Sequence, residues 1–148
     1  MLKIISVAQQ TIDASDILQD IKDGKAVNIS NATIRGVLDL TYMNDALPKL
    51  PKRKKKWWNN GGSNEIEKLI ESKISFVNCK FIDDVLAYIP HEDSGYTFTA
   101  DFEDIVVFKD CSFEGKAMFK YSDFERDADF SGTKFLEDST FKYAKFDR

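Results

Sequence analysis

Large apolar residues in the last third of the chain recur with a fixed rhythm: Phe102, Phe108, Phe113, Phe119, Phe124, Phe130, Phe135, Phe141 and Phe146, in steps that alternate six and five. Two positions before each Phe stands a small or compact residue: Ala100, Val106, Cys111, Ala117, Ser122, Ala128, Thr133, Ser139 and Ala144. A helix would place apolar residues at i, i+3, i+4 and i+7, and a long strand would alternate strictly, so neither template fits for more than a few residues. The pattern predicts short strands joined by tight turns. Within a strand the small residue and the Phe face the same side, because side chains two apart in an extended segment point together. The polar fillings, such as Ser131-Gly132-Thr133-Lys134 and Lys142-Tyr143-Ala144-Lys145, then face water, with Gly36, Gly115 and Gly132 at bends.

The outward residues suggest how many faces close one coil. Tyr121 and Tyr143, Lys116 and Asp138, and Asp123 and Lys145 are each 22 apart, so a coil of four faces stacks like on like or acid on base. Such cross-strand pairs contribute ~0.2–1 kcal/mol each. An 11-residue coil would pair Asp123 with Lys134 equally well, but two Phe and two further side chains do not fit inside so flat a loop. The four-sided coil is therefore preferred.

A unit such as Ala128-Asp129-Phe130, followed by Ser131-Gly132-Thr133-Lys134-Phe135, resembles that of the pentapeptide-repeat family. The resemblance implies an all-β fold, a right-handed quadrilateral β-helix with Leu or Phe at the centre of each face and a small residue two positions earlier. The same grammar is present in Val27-Asn28-Ile29, Ala32-Thr33-Ile34, Leu38-Asp39-Leu40, Phe76 and Cys79-Lys80-Phe81. A single domain over 1–148 is expected: an N-terminal cap over about 1–25, insertions over about 42–73 and 88–97, and regular coils over about 98–148. In the cap, Asp13-Ala14-Ser15-Asp16, then Ile17, Leu18 and Ile21, then Gly24, reads as a short helix closing the end of the core. The stretch Asn64 to Ile70 reads as a second short helix leading back to the coil.

The first insertion concentrates cations: Lys49, Lys52, Arg53, Lys54, Lys55 and Lys56, followed by Trp57 and Trp58. Without those six the net charge of −4 becomes −10. Lys52 to Trp58 form the candidate binding site, since a basic run beside exposed aromatics attracts a polyanion by charge plus ring insertion or stacking. The residues from Ile82 to Val107 hold seven acids and no Lys or Arg, with the only histidine at His91. They match no calcium-loop spacing, and an ionic contact with the basic insertion is expected instead. Cys79 and Cys111 fall on small inward positions and read as reduced core thiols.

No segment is apolar for long enough to span a membrane, the first residues lack a signal-peptide pattern, and a cytoplasmic location is expected. With one His, no phosphate-binding loop and no nucleophile motif, the chain reads as no enzyme, with no cofactor and no metal. The expected function is a scaffold or interaction module. Its partner is a protein of unknown identity, with an anionic membrane surface or nucleic acid as further partners of the basic insertion. The C-terminal coil, with Phe135, Phe141 and Phe146, is expected to support a homodimer. The resemblance also implies an alternative, a DNA mimic that inhibits a topoisomerase such as DNA gyrase. Against it, Ile105 to Arg148 carry nine acids and eight bases, too balanced for sustained duplex mimicry.

Overall fold

The computed structural model describes residues 10–52 and 64–147. The chain opens with strand β1 (Gln10–Asp13) and helix α1 (Ala14–Lys22). Four coils follow, each visiting four faces in turn. The first coil is β2 (Val27–Ser30), β3 (Ala32–Arg35), β4 (Leu38–Asp39), the short helix α2 (Met43–Ala46) and β5 (Glu65–Ile70). The second is β6 (Ile74–Val77), β7 (Lys80–Phe81), β8 (Val85–Leu86), β9 (Tyr88–His91) and β10 (Tyr96–Phe102). The third is β11 (Val106–Lys109), β12 (Ser112–Phe113), β13 (Ala117–Met118) and β14 (Asp123–Phe124), and the fourth is β15 (Ala128–Asp129), β16 (Lys134–Phe135), β17 (Ser139–Thr140) and β18 (Lys145–Phe146).

Equivalent strands stack into four sheets: β2-β6-β11-β15 on the first face, β1-β3-β7-β12-β16 on the second, β4-β8-β13-β17 on the third and β5-β10-β14-β18 on the fourth. All these pairings are parallel, and in the regular coils Val106 pairs with Ala128, Phe113 with Phe135, Ala117 with Ser139 and Phe124 with Phe146, each 22 positions on. The molecule is thus a quadrilateral β-helix with the 22-residue coil. Phe108 stacks on Phe130 with ring centroids 5.4 Å apart, Phe113 on Phe135 at 5.2 Å and Phe119 on Phe141 at 5.1 Å. Phe119 meets Phe130 only edge-on, at 5.6 Å and 74°. Adjacent faces are locked by such edge contacts, a favoured geometry for aromatic pairs.

The alternation of five and six has a backbone cause. Both five-residue steps turn on a single left-handed residue: Asn31, Asn78, Asp110 and Gly132 between the first and second faces, and Tyr42, Tyr121 and Tyr143 between the third and fourth. One left-handed residue turns the chain sharply from one face onto the next, so these corners need no extra position. Of the six-residue corners, only the one at Gly36 uses a left-handed backbone. Gly115 serves another need there, since a Cβ on it would lie 2.6 Å from the Asp83 carbonyl carbon.

Helix α1 occupies the place of two faces. Ile12 of β1 pairs with Ile34 on the second face, and the helix then runs where a third and a fourth face would lie, burying Ala14, Ile17 and Ile21. It covers the apolar end of the first coil. Gly24, at φ +77°, ends it, with its N–H on the Ile21 carbonyl and that of Lys25 on Asp20. The side chain of Asp13 makes no capping bond; it accepts from Arg35 Nε and Nη2 at 3.1 and 3.0 Å.

The segment expected to be a helix over 64–70 is strand β5, paired with β10 along its whole length from Glu65↔Thr97 to Ile70↔Phe102. Ile66, Leu69 and Ile70 suit a helical stripe, and Ile66 and Ile70 equally suit one face of a strand; pairing decides between them. Leu69 faces outward at 45 % exposure while Ile70 is buried. The first insertion is consequently shorter than 42–73, returning to the coil at Glu65. The second, expected over 88–97, is the antiparallel hairpin of β9 and β10, in which Tyr96 pairs with His91 and Thr99 with Tyr88.

Candidate interaction surface at the insertion corner

Both insertions leave the rod at the same corner. Val27 pairs with Ile74, 47 positions on and 25 more than a regular coil, and the excess falls between Leu40 of the third face and Ile70 of the fourth. Ile74 pairs with Val106, 32 positions on and 10 more than a regular coil, and that excess falls between Ala87 and Phe102, again third to fourth face. Stacked one coil apart, the insertions touch. The Tyr96 hydroxyl donates to the Pro51 carbonyl at 2.6 Å.

Between them lies a pocket of about 480 Å³, lined by Leu47, Pro48, Leu50, Pro51 and Lys52 from the first insertion and by His91, Asp93, Ser94 and Tyr96 from the second. A second, of about 540 Å³, separates α1 and α2 from the third face, with Leu18, Val37, Met43, Leu86 and Ile89 among its lining. A bare solenoid wall offers no such concavity; the insertions and the cap create both. In the hairpin turn, His91 Nδ1 and Ser94 Oγ are 2.8 Å apart, and Ser94 Oγ accepts the Tyr96 N–H at 3.2 Å. The serine oxygen is thereby tied into the turn.

Of the expected site residues, Lys52 is exposed at the mouth of the first pocket, whereas Arg53, Lys54, Lys55, Lys56, Trp57 and Trp58 lie outside the described residues. The ionic contact between the basic insertion and the acids of 83–104 is not made by Lys49 or Lys52: the ion pairs among the described residues are Lys22–Asp45, Arg35–Asp13 and Lys80–Glu114. The Tyr96–Pro51 bond and the pocket walls join the two insertions instead. No group of three or more His, Cys, Asp or Glu side chains among the described residues is placed to hold a metal ion.

Below the insertions the same corner carries a column of tyrosines and lysines. Tyr88 lies 5.9 Å from Tyr121, which stacks on Tyr143 at 5.3 Å and 15°. Lys120 Nζ sits 5.3 Å from the Tyr88 ring and 5.1 Å from that of Tyr121, and Lys142 Nζ sits 5.0 Å from Tyr143. Tyr121 and Tyr143 are 39 % and 60 % exposed. Stacking and cation–π attraction offset the cost of a left-handed tyrosine backbone at each of these two corners. At the top, the Tyr42 hydroxyl donates to the Leu18 carbonyl at 2.7 Å, and burial with nearby Asp45 and Asp39 raises its pKa. The spacing of Lys120-Tyr121 and Lys142-Tyr143 signals part of this column in the sequence, but the hairpin hides Tyr88 from any fixed period.

Across the fourth face the next corner is acidic. Glu71, Glu103, Glu125 and Asp147 each follow the central residue of that face, one per coil, and all are exposed. Next to them Asp101 and Asp123 are held above the ordinary carboxylate range, chiefly by burial, with Glu67, Glu125 and Glu65 adding to it at Asp101 and Asp147 at Asp123. Asp123 stands opposite Lys145 in register, yet its N–H donates to Asp101 Oδ1 at 3.0 Å and its buried Oδ1 has no hydrogen-bond partner among the described residues. The fourth face thus separates a Lys/Tyr corner from an acidic one.

Compared with known proteins, residues 98–147 match the family model for pentapeptide repeats, in 9 copies. No curated protein and no solved structure matches the chain. No helix among the described residues is long and apolar enough to cross a membrane.

Proposed function

Given that residues 98–147 belong to the pentapeptide-repeat family, we propose that this chain is a non-enzymatic interaction module whose contact surface is the corner carrying both insertions. Proteins of this family serve generally as interaction or scaffold modules. The observation that carries the reading is that two insertions of different length leave the rod at one corner and are bonded there, Tyr96 to Pro51, while the other corners stay bare. A rod that only stacked coils would have no use for such a device. Lys52, Arg53, Lys54, Lys55, Lys56, Trp57 and Trp58 belong to the insertion at this corner and make the principal contact with a protein partner bearing an acidic surface. The Lys/Tyr column extends that surface along the rod. His91 and Ser94 serve the hairpin turn rather than acid–base chemistry, because Ser94 Oγ is already engaged by the Tyr96 N–H.

The test compares the chain with a variant in which Lys52 to Lys56 are replaced by Gln, against a cell extract, anionic vesicles and duplex DNA at increasing salt. A salt-sensitive protein partner lost in the variant supports the reading; vesicle or DNA binding lost in the variant would reassign the corner to those ligands. A variant that binds like the parent in every arm overturns it. One observation favours a second reading, the DNA mimic: the acidic column Glu71, Glu103, Glu125 and Asp147. Inhibition of gyrase supercoiling that survives Lys52–Lys56 neutralisation but not charge removal at these acids would select it.

A further inference from the structure

The small residues of the second face form a column of Ala32, Cys79, Cys111 and Thr133, set by the registers Thr33↔Lys80, Lys80↔Ser112 and Ser112↔Lys134. The Ser112 N–H donates to the Cys79 carbonyl at 2.9 Å, so the two cysteines occupy neighbouring strands, one coil apart. Parallel strands lie about 4.8 Å apart. That places the two Cα atoms within the ~4.4–6.8 Å that a disulfide bridges.

The thiols are buried but not sealed. Cys79 Sγ lies 3.6 Å from the Ile29 carbonyl and Cys111 Sγ 3.4 Å from that of Phe76, each donating to the coil above as Thr133 donates to the Phe108 carbonyl. Beside them the corner opens as a notch of about 210 Å³, lined by both cysteines and by Asn78, Asp110, Lys80 and Lys134. Gly132, with its left-handed backbone, keeps it open: a Cβ there would run into the Asp110 carboxylate. The two sulfurs are also unequal. The neighbouring Cys111 thiol brings Cys79 down to about 7, and the same neighbour together with burial raises Cys111.

We propose that Cys79 and Cys111 are a peroxide-responsive dithiol that closes to a disulfide between the second and third coils. The Cys79 thiolate attacks one oxygen of a hydroperoxide; the O–O bond breaks, the departing oxygen leaves as water or an alcohol after taking a proton, and Cys79 becomes a sulfenic acid. The Cys111 sulfur then attacks that of Cys79, the S–O bond breaks, and the hydroxide leaves as water with the Cys111 proton. The peroxide is reduced by two electrons and the dithiol oxidised by two. The bond closes a loop that contains the β9/β10 hairpin, so it ties the coil bearing the second insertion to the regular coils below. This inference rests on the strand register and the notch, and is independent of the partner at the insertion corner.

Reduced full chain is treated with hydrogen peroxide and examined by intact mass, non-reducing peptide mapping and thermal melting. The expected result is loss of two hydrogens, a Cys79-to-Cys111 linked peptide and a raised melting temperature, as expected for closing a long loop. Cys111→Ser should stop at a sulfenic acid on Cys79 that dimedone traps, and Cys79→Ser should react an order of magnitude more slowly. Serine keeps a donor to each carbonyl, and circular dichroism checks that both variants fold. Three results would overturn the proposal: oxygen added to either cysteine without the linked peptide, thiols that react only after unfolding in urea, or Cys79→Ser oxidised as fast as Cys111→Ser.

Discussion

Phe108 sits at the middle of the stacked rings, fully buried between Phe76 at 5.2 Å and Phe130 at 5.4 Å, with Phe113 and Phe119 beside it at 5.4 and 5.9 Å. Truncation to alanine removes the ring from every one of these contacts. Losing the burial of a Phe side chain alone is worth about 1.5–3 kcal/mol. The cavity adds to this, because coils held at a fixed strand spacing cannot collapse into the gap, so Phe108→Ala is expected to cost ~3–5 kcal/mol in total. Phe108→Leu keeps most of the volume and should cost less than about 1.5 kcal/mol. Leu69 supplies the contrast: its outward position on β5 predicts a change within about 0.5 kcal/mol on Leu69→Ala. Urea denaturation followed by far-ultraviolet circular dichroism measures all three. If Phe108→Ala cost no more than Leu69→Ala, the stack would not be the source of stability and the packing argument would fail; a large loss at Leu69 would refute the β5 register.

Asp101 and Asp123, held above their ordinary values mainly by burial, bind protons more readily folded than unfolded, so their contribution falls as pH rises through the raised folded values and is most favourable below the unfolded ones. Asp101→Asn, which can still accept the Asp123 N–H, should raise stability at neutral pH relative to the parent and lessen this dependence; melting curves at stepped pH check it, and a variant no more stable than the parent at neutral pH would contradict the sign. The last coil carries Phe146 at 51 % exposure beside half-buried Phe135 and Phe141, and end-to-end pairing of two copies through these rings is proposed. Light scattering across a concentration series should show a dimer that Phe146→Glu abolishes, and a parent monomeric at all concentrations would refute it.

The periodic part of this protein was legible in the sequence because one rule repeats: each face needs a small residue and a Phe two positions on, and the 22-residue coil follows from the volume those rings fill. Ring stacking of Phe113 on Phe135 obeys that rule, and the same 22-residue interval stacks the outward Tyr121 on Tyr143. The cap helix was legible too, from Ile17, Ile21 and the closing Gly24. Glu65 to Ile70 was not, since a short run with mixed apolar spacing has no preferred period and only pairing with Thr97 to Phe102 makes it a strand. That strand supplies the fourth face of the first coil. The third face of the second coil reverses the rule altogether, with Val85 at the small position and Ala87 at the centre, both buried. Nor does any spacing show that insertions 25 and 10 residues long meet at one corner, or that Cys79 lies over Cys111 when 32 positions separate them. Those relations exist only once the coil closes. Sequence period fixes which residues face inward, whereas the meeting of residues across irregular insertions is decided by which strands find each other in space.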